Sequence, residues 1–216
     1  MIMFKKIIFY YFIFFSIINV RFCASVLFAS EQDKLFWDTR YKTEEYIFGK
    51  EPVAFLREHI ELLPKGKALD IATGEGRNAV FLAKSGFVVD CCDVSEIAIE
   101  KAKNLAAQNN VQINAFVADL EEYELPKNSY EVITCFYYLQ RDLIPQMKEA
   151  LKKGGMIVYE TFTLENIEHG FDGPKNKEYL LEMNELLNFF RDFKIIMYRE
   201  CVVDNRKAIA SLIAEK

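Results

Sequence analysis

Two glycines and three aspartates carry the chemistry this chain could do. The run ALDIATGEGRNA at 68–79 contains Gly-x-Gly-x-x-Ala, and Asp70 stands four residues before Gly74. Asp93 and Asp119 close two further apolar runs, FVVDCCD at 87–93 and VQINAFVAD at 111–119. A glycine has no β-carbon, so at Gly74 and Gly76 the backbone can turn sharply and let a ligand lie against it. A carboxylate beside such a turn opposes a pyrophosphate, which needs bare amides and a positive helix end. It suits a cation instead. Asp93, 17 residues after Gly76, is placed to accept both hydroxyls of a ribose, a role that fits a nicotinamide dinucleotide equally well. Asp119 is placed to accept from an adenine amino group, with Leu120 beside it to pack on the ring.

A ligand with a cationic sulfonium, a ribose with two free hydroxyls, an ammonium-bearing tail and no phosphate meets those demands together. S-adenosylmethionine is such a ligand. The expected cofactor pocket comprises Asp70, Ala72, Gly74, Gly76, Asp93, Val94, Asp119, Leu120 and Phe136. On the acceptor side, Phe136, Tyr137 and Tyr138 follow a fourth apolar run, and Tyr46 and Phe48 belong to a lid-like N-terminal segment. Aromatic faces favour a cation and could steady a sulfonium. Tyr137 is the first catalytic candidate, with plain packing as its alternative. Arg40 is the second, to meet a methionine carboxylate or an anionic acceptor, with a surface ion pair as its alternative. His169 is a lone loop histidine and is left aside, and Asp142 reads equally as a charge at a helix start.

Elements must hold these residues. Residues 67–71 read as a buried strand, then a helix near 76–85 ends at Gly86. A strand at 87–93 follows, and Ser95 offers an N-cap for a helix to about Asn109. Strands are expected at 111–117 and 130–136, a helix at about 141–152, and a strand at 156–160 after Gly154-Gly155. A loop over 161–178 leads to a helix near 179–190. Two strands, 193–201 and 208–214, are separated by the short polar turn Asp204-Asn205-Arg206, which forces them antiparallel. The expectation is an α/β chain, a Rossmann-like doubly wound, mostly parallel seven-stranded sheet with a C-terminal antiparallel hairpin.

Further stretches join these in one resemblance: Trp37-Asp38-x-Arg40-Tyr41, Phe48-Gly49-Lys50-Glu51-Pro52, residues 69–79, Asp93-Val94-Ser95, Ala118-Asp119-Leu120, 138–143, 151–155, 160–163, Gly173-Pro174 and 185–187. Over about residues 35–216 the sequence resembles the class I S-adenosylmethionine-dependent methyltransferases, and within them the small bacterial group similar to tellurite-resistance methyltransferases. The resemblance implies methyl transfer to a small-molecule acceptor, such as a thiol or a chalcogen oxyanion. Two positions depart from the pattern: Ala72 stands where the family usually has glycine, and Lys153 where it usually has proline. An NAD(P)-dependent oxidoreductase and a non-catalytic nucleoside-binding module remain the alternatives.

The 216 residues suit one well-cored domain. Lys5 and Lys6, the 14-residue apolar run from Ile7 to Val20, and Cys23-Ala24-Ser25 have the layout of a secretory signal or anchor. Residues 1–30 are therefore expected to be a separate extension of a 31–216 domain, and any membrane contact to run through them alone. The catalytic domain is expected in the cytoplasm. A formal net charge of −5, with no basic patch, argues against a nucleic-acid partner. Cys91, Cys92, Cys135 and Cys201 show no C-x-x-C spacing and read as buried free thiols, with no metal expected.

Overall fold

The computed structural model describes residues 31–216, so the leader expected over 1–30 lies outside the described residues. Among those described, no helix is long and apolar enough to cross a membrane. Helix α1 covers 31–41 and α2 is Ala54–His59. The alternation then runs β1 (Lys67–Ile71), α3 (Arg77–Lys84), β2 (Val88–Asp93), α4 (Glu96–Gln108), β3 (Asn114–Val117) and β4 (Tyr130–Phe136). It continues through α5 (Ile144–Ala150), β5 (Leu151–Phe162), α6 (Glu165–Glu168), α7 (Glu185–Phe189), β6 (Lys194–Val203) and β7 (Lys207–Glu215).

The seven strands form one sheet in the order β3-β2-β1-β4-β5-β7-β6. Pairings from β3 to β5 are parallel, and β7 joins β5 and β6 antiparallel. The strand order reverses between β1 and β4, so the turns after these two strands open side by side. Alternate side chains feed two cores. Leu69, Ile71, Ile133 and Cys135 pack with Leu143 and Met147 of the α5 region and Leu186 of α7. Ala68, Val132 and Phe136 point the other way, among Phe55 and Leu56 of α2, Leu82 of α3 and Ile99 of α4. Each such Leu or Ile contributes about 1.5–3 kcal/mol by leaving water, which fixes the strand ends that carry the site.

Ser95 caps α4 as its sequence position suggests, its hydroxyl accepting from the Ala98 amide at 3.1 Å. The expected helix at 179–190 shrinks to Glu185–Phe189. The Leu181 amide instead donates to the Phe162 carbonyl, and the Leu164 amide to the Leu181 carbonyl, both at 2.9 Å. Those residues extend alongside the end of β5, and Asn184 has φ 61° at the point where α7 begins. The expected helix at 141–152 opens as a 3₁₀ turn at Arg141–Leu143 and is α-helical only over Ile144–Ala150. β5 then starts at once, with its register against β4 broken between Tyr130 and Val132 to absorb the Gly154-Gly155 turn and exposed Lys153. Among the described residues, Cys91, Cys92 and Cys135 are buried and Cys201 half-buried, all as free thiols.

Candidate functional site

The turn after β1 winds through three left-handed residues, Ala72 (φ 50°), Gly74 (φ 55°) and Gly76 (φ 85°). A β-carbon on Gly74 would sit 2.9 Å from the Tyr41 hydroxyl, and one on Gly76 would sit 2.5 Å from the Ala102 β-carbon of α4. Gly74 therefore admits a ring from α1, and Gly76 admits a neighbouring helix. Ala72 has a β-carbon in a conformation that costs an L-residue roughly 1–2 kcal/mol, which gives the physical reason for glycine at that position.

Carboxylates hold this turn in place. Asp93 is buried and accepts from the Gly74 amide at 2.8 Å and the Ser95 amide at 3.0 Å. Asp70, also buried, accepts from the hydroxyls of Thr73 at 2.5 Å and Thr134 at 2.6 Å, tying β1 to β4 across the point of reversal. Burial pushes both carboxyls up to about 6, against the lowering effect of these hydroxyls and amides. The charge of Asp38 adds to the rise at Asp93. Glu75, the third acid of the turn, is neutralised by Lys101 at 2.8 Å. Asp119 follows β3, its carboxylate accepting from the Glu121 amide at 2.9 Å; Leu120 is buried and Val94 half-buried.

Helix α1 and the segment behind it lie against the turn. Asp38 accepts from the Ser95 hydroxyl at 2.6 Å, and Trp37 stacks on Tyr41 with centroids 5.5 Å apart. Phe48 meets Tyr41 edge to face, while its amide approaches Glu75 at 3.4 Å. The Trp37-Asp38-x-Arg40-Tyr41 motif is thus a docking motif: one face of a helix supplies a stack, a cap and a hydroxyl over a glycine. Arg40 itself is exposed, its guanidinium 5.7 Å from the ring centres of both Trp37 and Phe48.

Tyr137 is the other left-handed residue at the strand ends, with φ 59°. Its hydroxyl donates to Glu160 at 3.0 Å and accepts from the Lys207 ammonium at 2.7 Å. Burial and the Glu160 charge raise its pKa, so the phenol stays protonated. Glu160, itself buried, also accepts from Ser211 at 2.7 Å and Arg199 at 3.4 Å. The guanidinium of Arg77, rather than that of Arg40, lies over the Tyr137 ring, at 6.0 Å. Phe136 is buried among the α2–α4 core, and Tyr138 donates to Gln140 at 2.7 Å on the opposite side. Arg141 is a clamp, bound bidentately to Glu185 and to the carbonyls of Glu178 and Leu180. His169 stacks on Phe171.

Sequence reasoning missed Tyr41, Arg77, Glu160 and Lys207. Tyr41, Arg77 and Glu160 each stand in a stretch that carries the resemblance, but nothing local there points to a role at the glycine turn or at Tyr137; Lys207 had no signal, because its partner is 70 residues away.

Residues 68–155 match the family described as a methyltransferase domain. The chain is similar to the ubiquinone biosynthesis O-methyltransferase of Rickettsia akari, 32% identical over 122 residues, covering 54% of this chain and 47% of that protein. It is similar to hemagglutinin 1 of Eikenella corrodens, 24% identical over 154 residues, covering 68% and 50%. The chain thus spans about half the length of these curated relatives. In fold it is similar to the crystal structure of TehB from Haemophilus influenzae, with a TM-score of 0.64 and 20% identity over 85% of this chain and 66% of that one. Residues 68–155 thus match a methyltransferase domain, and the chain is similar in fold to TehB.

Proposed function

We propose that this chain transfers a methyl group from S-adenosylmethionine to a small-molecule acceptor. The observation that carries the reading is the pair of buried carboxylates, Asp70 and Asp93, at the carboxyl ends of adjacent strands beside the glycine turn. Two acids there oppose a dinucleotide pyrophosphate and favour a cationic donor. Asp93 and Val94 are assigned to the ribose, Asp119 and Leu120 to the adenine, and Ala72, Gly74, Gly76 and Phe136 to the pocket wall.

When bound, the donor supplies a methyl already activated on a sulfonium, so no acid is needed for the leaving group. The chain's work is positioning and exclusion of water, and alignment alone is worth several kcal/mol. Tyr41 and Phe48 cover the turn, and Tyr137 supports the acceptor side as a neutral phenol held by Glu160 and Lys207. A protonated Tyr137 is a poor general base, which favours an acceptor that arrives as a soft anion, a thiolate or a chalcogen oxyanion. Arg40 is assigned to the outer edge, against an anionic donor tail or acceptor. The donor is a cytoplasmic metabolite, and the reaction is placed there with it.

Calorimetric titration of the full chain with S-adenosylmethionine and with NAD tests the reading. S-adenosylmethionine is expected to bind, and Asp93→Ala to weaken it at least about tenfold, the loss of one charge-assisted pair of hydrogen bonds. Tight NAD binding without S-adenosylmethionine binding overturns the proposal. Turnover of methyl-labelled donor with thiols, selenite or tellurite separates an enzyme from a nucleoside-binding module.

A further inference from the structure

Beside Tyr137 lies a cleft of about 520 Å³ lined by Phe162, Gly170, Phe171, Asp172, Asn205, Arg206 and Lys207. Its size is that of a site for a small organic molecule. It adjoins the expected point of methyl transfer: the Phe162 ring lies 5.2 Å from the Tyr137 ring, and Lys207 bonds the Tyr137 hydroxyl. Resting on the methyltransferase reading above, we infer that this cleft receives the acceptor, and that the acceptor is a small organic monocarboxylate bearing its nucleophile at the far end.

Charge and shape both point there. Arg206 and Lys207 stand against the single acid Asp172, so the cleft is net positive on a chain of formal charge −5. Among the described residues neither cation is ion-paired, whereas Arg141, Arg199 and Lys101 all are. Arg206 is the last residue of the three-residue hairpin loop 204–206, in which Asp204 and Asn205 are both left-handed, and its amide bonds the Val203 carbonyl at 3.0 Å. Such a turn is stiff, and it presents the guanidinium from a fixed backbone. A guanidinium binds a carboxylate with two parallel hydrogen bonds. Phe162 and Phe171 wall the apolar part, and the Asp172 carboxylate repels a second charge close to the bound carboxylate, which disfavours a compact mineral dianion while leaving the far end free for the nucleophile.

The test measures binding of matched pairs to the full chain in the presence of S-adenosylhomocysteine: 3-mercaptopropionate against its amide, 4-hydroxybenzoate against its amide, and inorganic phosphate and tellurite. At least one carboxylate is expected to bind about tenfold or more tighter than its amide. Arg206→Gln should erase that preference, Arg206→Lys should restore part of it, and the affinity for S-adenosylhomocysteine should hold throughout. Equal binding of acid and amide, tighter binding of phosphate or tellurite, or a preference that survives Arg206→Gln overturns the inference. If the carboxylate preference appears but neither S-adenosylmethionine nor S-adenosylhomocysteine binds, the methyltransferase reading falls and the cleft assignment stands.

Discussion

Ala72 spends its backbone in a region that glycine enters without penalty, with φ 50° directly before the turn held by Asp93. Its neighbours over-determine that conformation: the Thr73 amide is tied to the Cys92 carbonyl at 2.9 Å, and Thr73 also bonds Asp70. Replacing it with glycine removes the β-carbon strain but adds freedom to the unfolded chain, so the two effects partly cancel. The strain is the larger. Ala72→Gly is therefore expected to stabilise the fold by about 0.5–1 kcal/mol, visible as a raised urea midpoint at unchanged slope. A lowered midpoint would show that the alanine methyl group's contact with the adjoining core outweighs the strain. Tyr137 has the same left-handed backbone but is fixed by Glu160 through both its amide and its hydroxyl. Its strain holds a ring in place, and at functional sites such strain is a common means of fixing geometry.

At the scale of elements, the approach of α3 to α4 depends on Gly76, whose missing β-carbon leaves room for Ala102. Gly76→Ala should cost more than the usual 1 kcal/mol or so for a non-glycine residue at φ 85°, because backbone as well as side-chain atoms of Ala102 stand in the way. In the double variant with Ala102→Gly, about a third or more of the loss should return, since the two substitutions share one contact. Strict additivity in urea unfolding would show that the cost is backbone strain alone. Legibility also belongs to this scale. Strands β1 and β4 stand where the sequence puts them because buried parallel strands are continuous apolar runs, and α4 because Ser95 is a local capping signal. Residues 179–184 look helical in isolation, yet Leu181 pairs with the end of β5, a contact with no trace in local periodicity. The same holds for the site: Asp70 and Asp93 are legible from their positions at strand ends, whereas Thr134 reaches Asp70, Tyr41 reaches Gly74 and Lys207 reaches Tyr137 across long stretches of chain.

For the whole molecule, the two buried carboxyls couple stability and ligand binding to pH with opposite signs. Each has its pKa raised by burial from 3.8 to about 6. Between those values the folded chain binds more protons than the unfolded one. The contribution of Asp70 and Asp93 to stability is thus fully present below about 3.8 and is lost as pH rises through about 6. A cationic ligand does the reverse, since it favours the ionised carboxylates and binds better above pH 6 than below. S-adenosylmethionine should therefore lose about tenfold in affinity between pH 8 and pH 5 and release protons on binding near pH 6, as each coupled group can contribute up to tenfold per pH unit. S-adenosylhomocysteine lacks the sulfonium charge and should show a shallower dependence, and Asp93→Asn should flatten the difference between the two ligands. The upward shift in melting temperature caused by S-adenosylmethionine should accordingly grow with pH while the unliganded melting temperature falls. Parallel pH profiles for the two ligands in the unmodified chain would mean that the acids at the glycine turn serve the fold and do not sense the donor's charge.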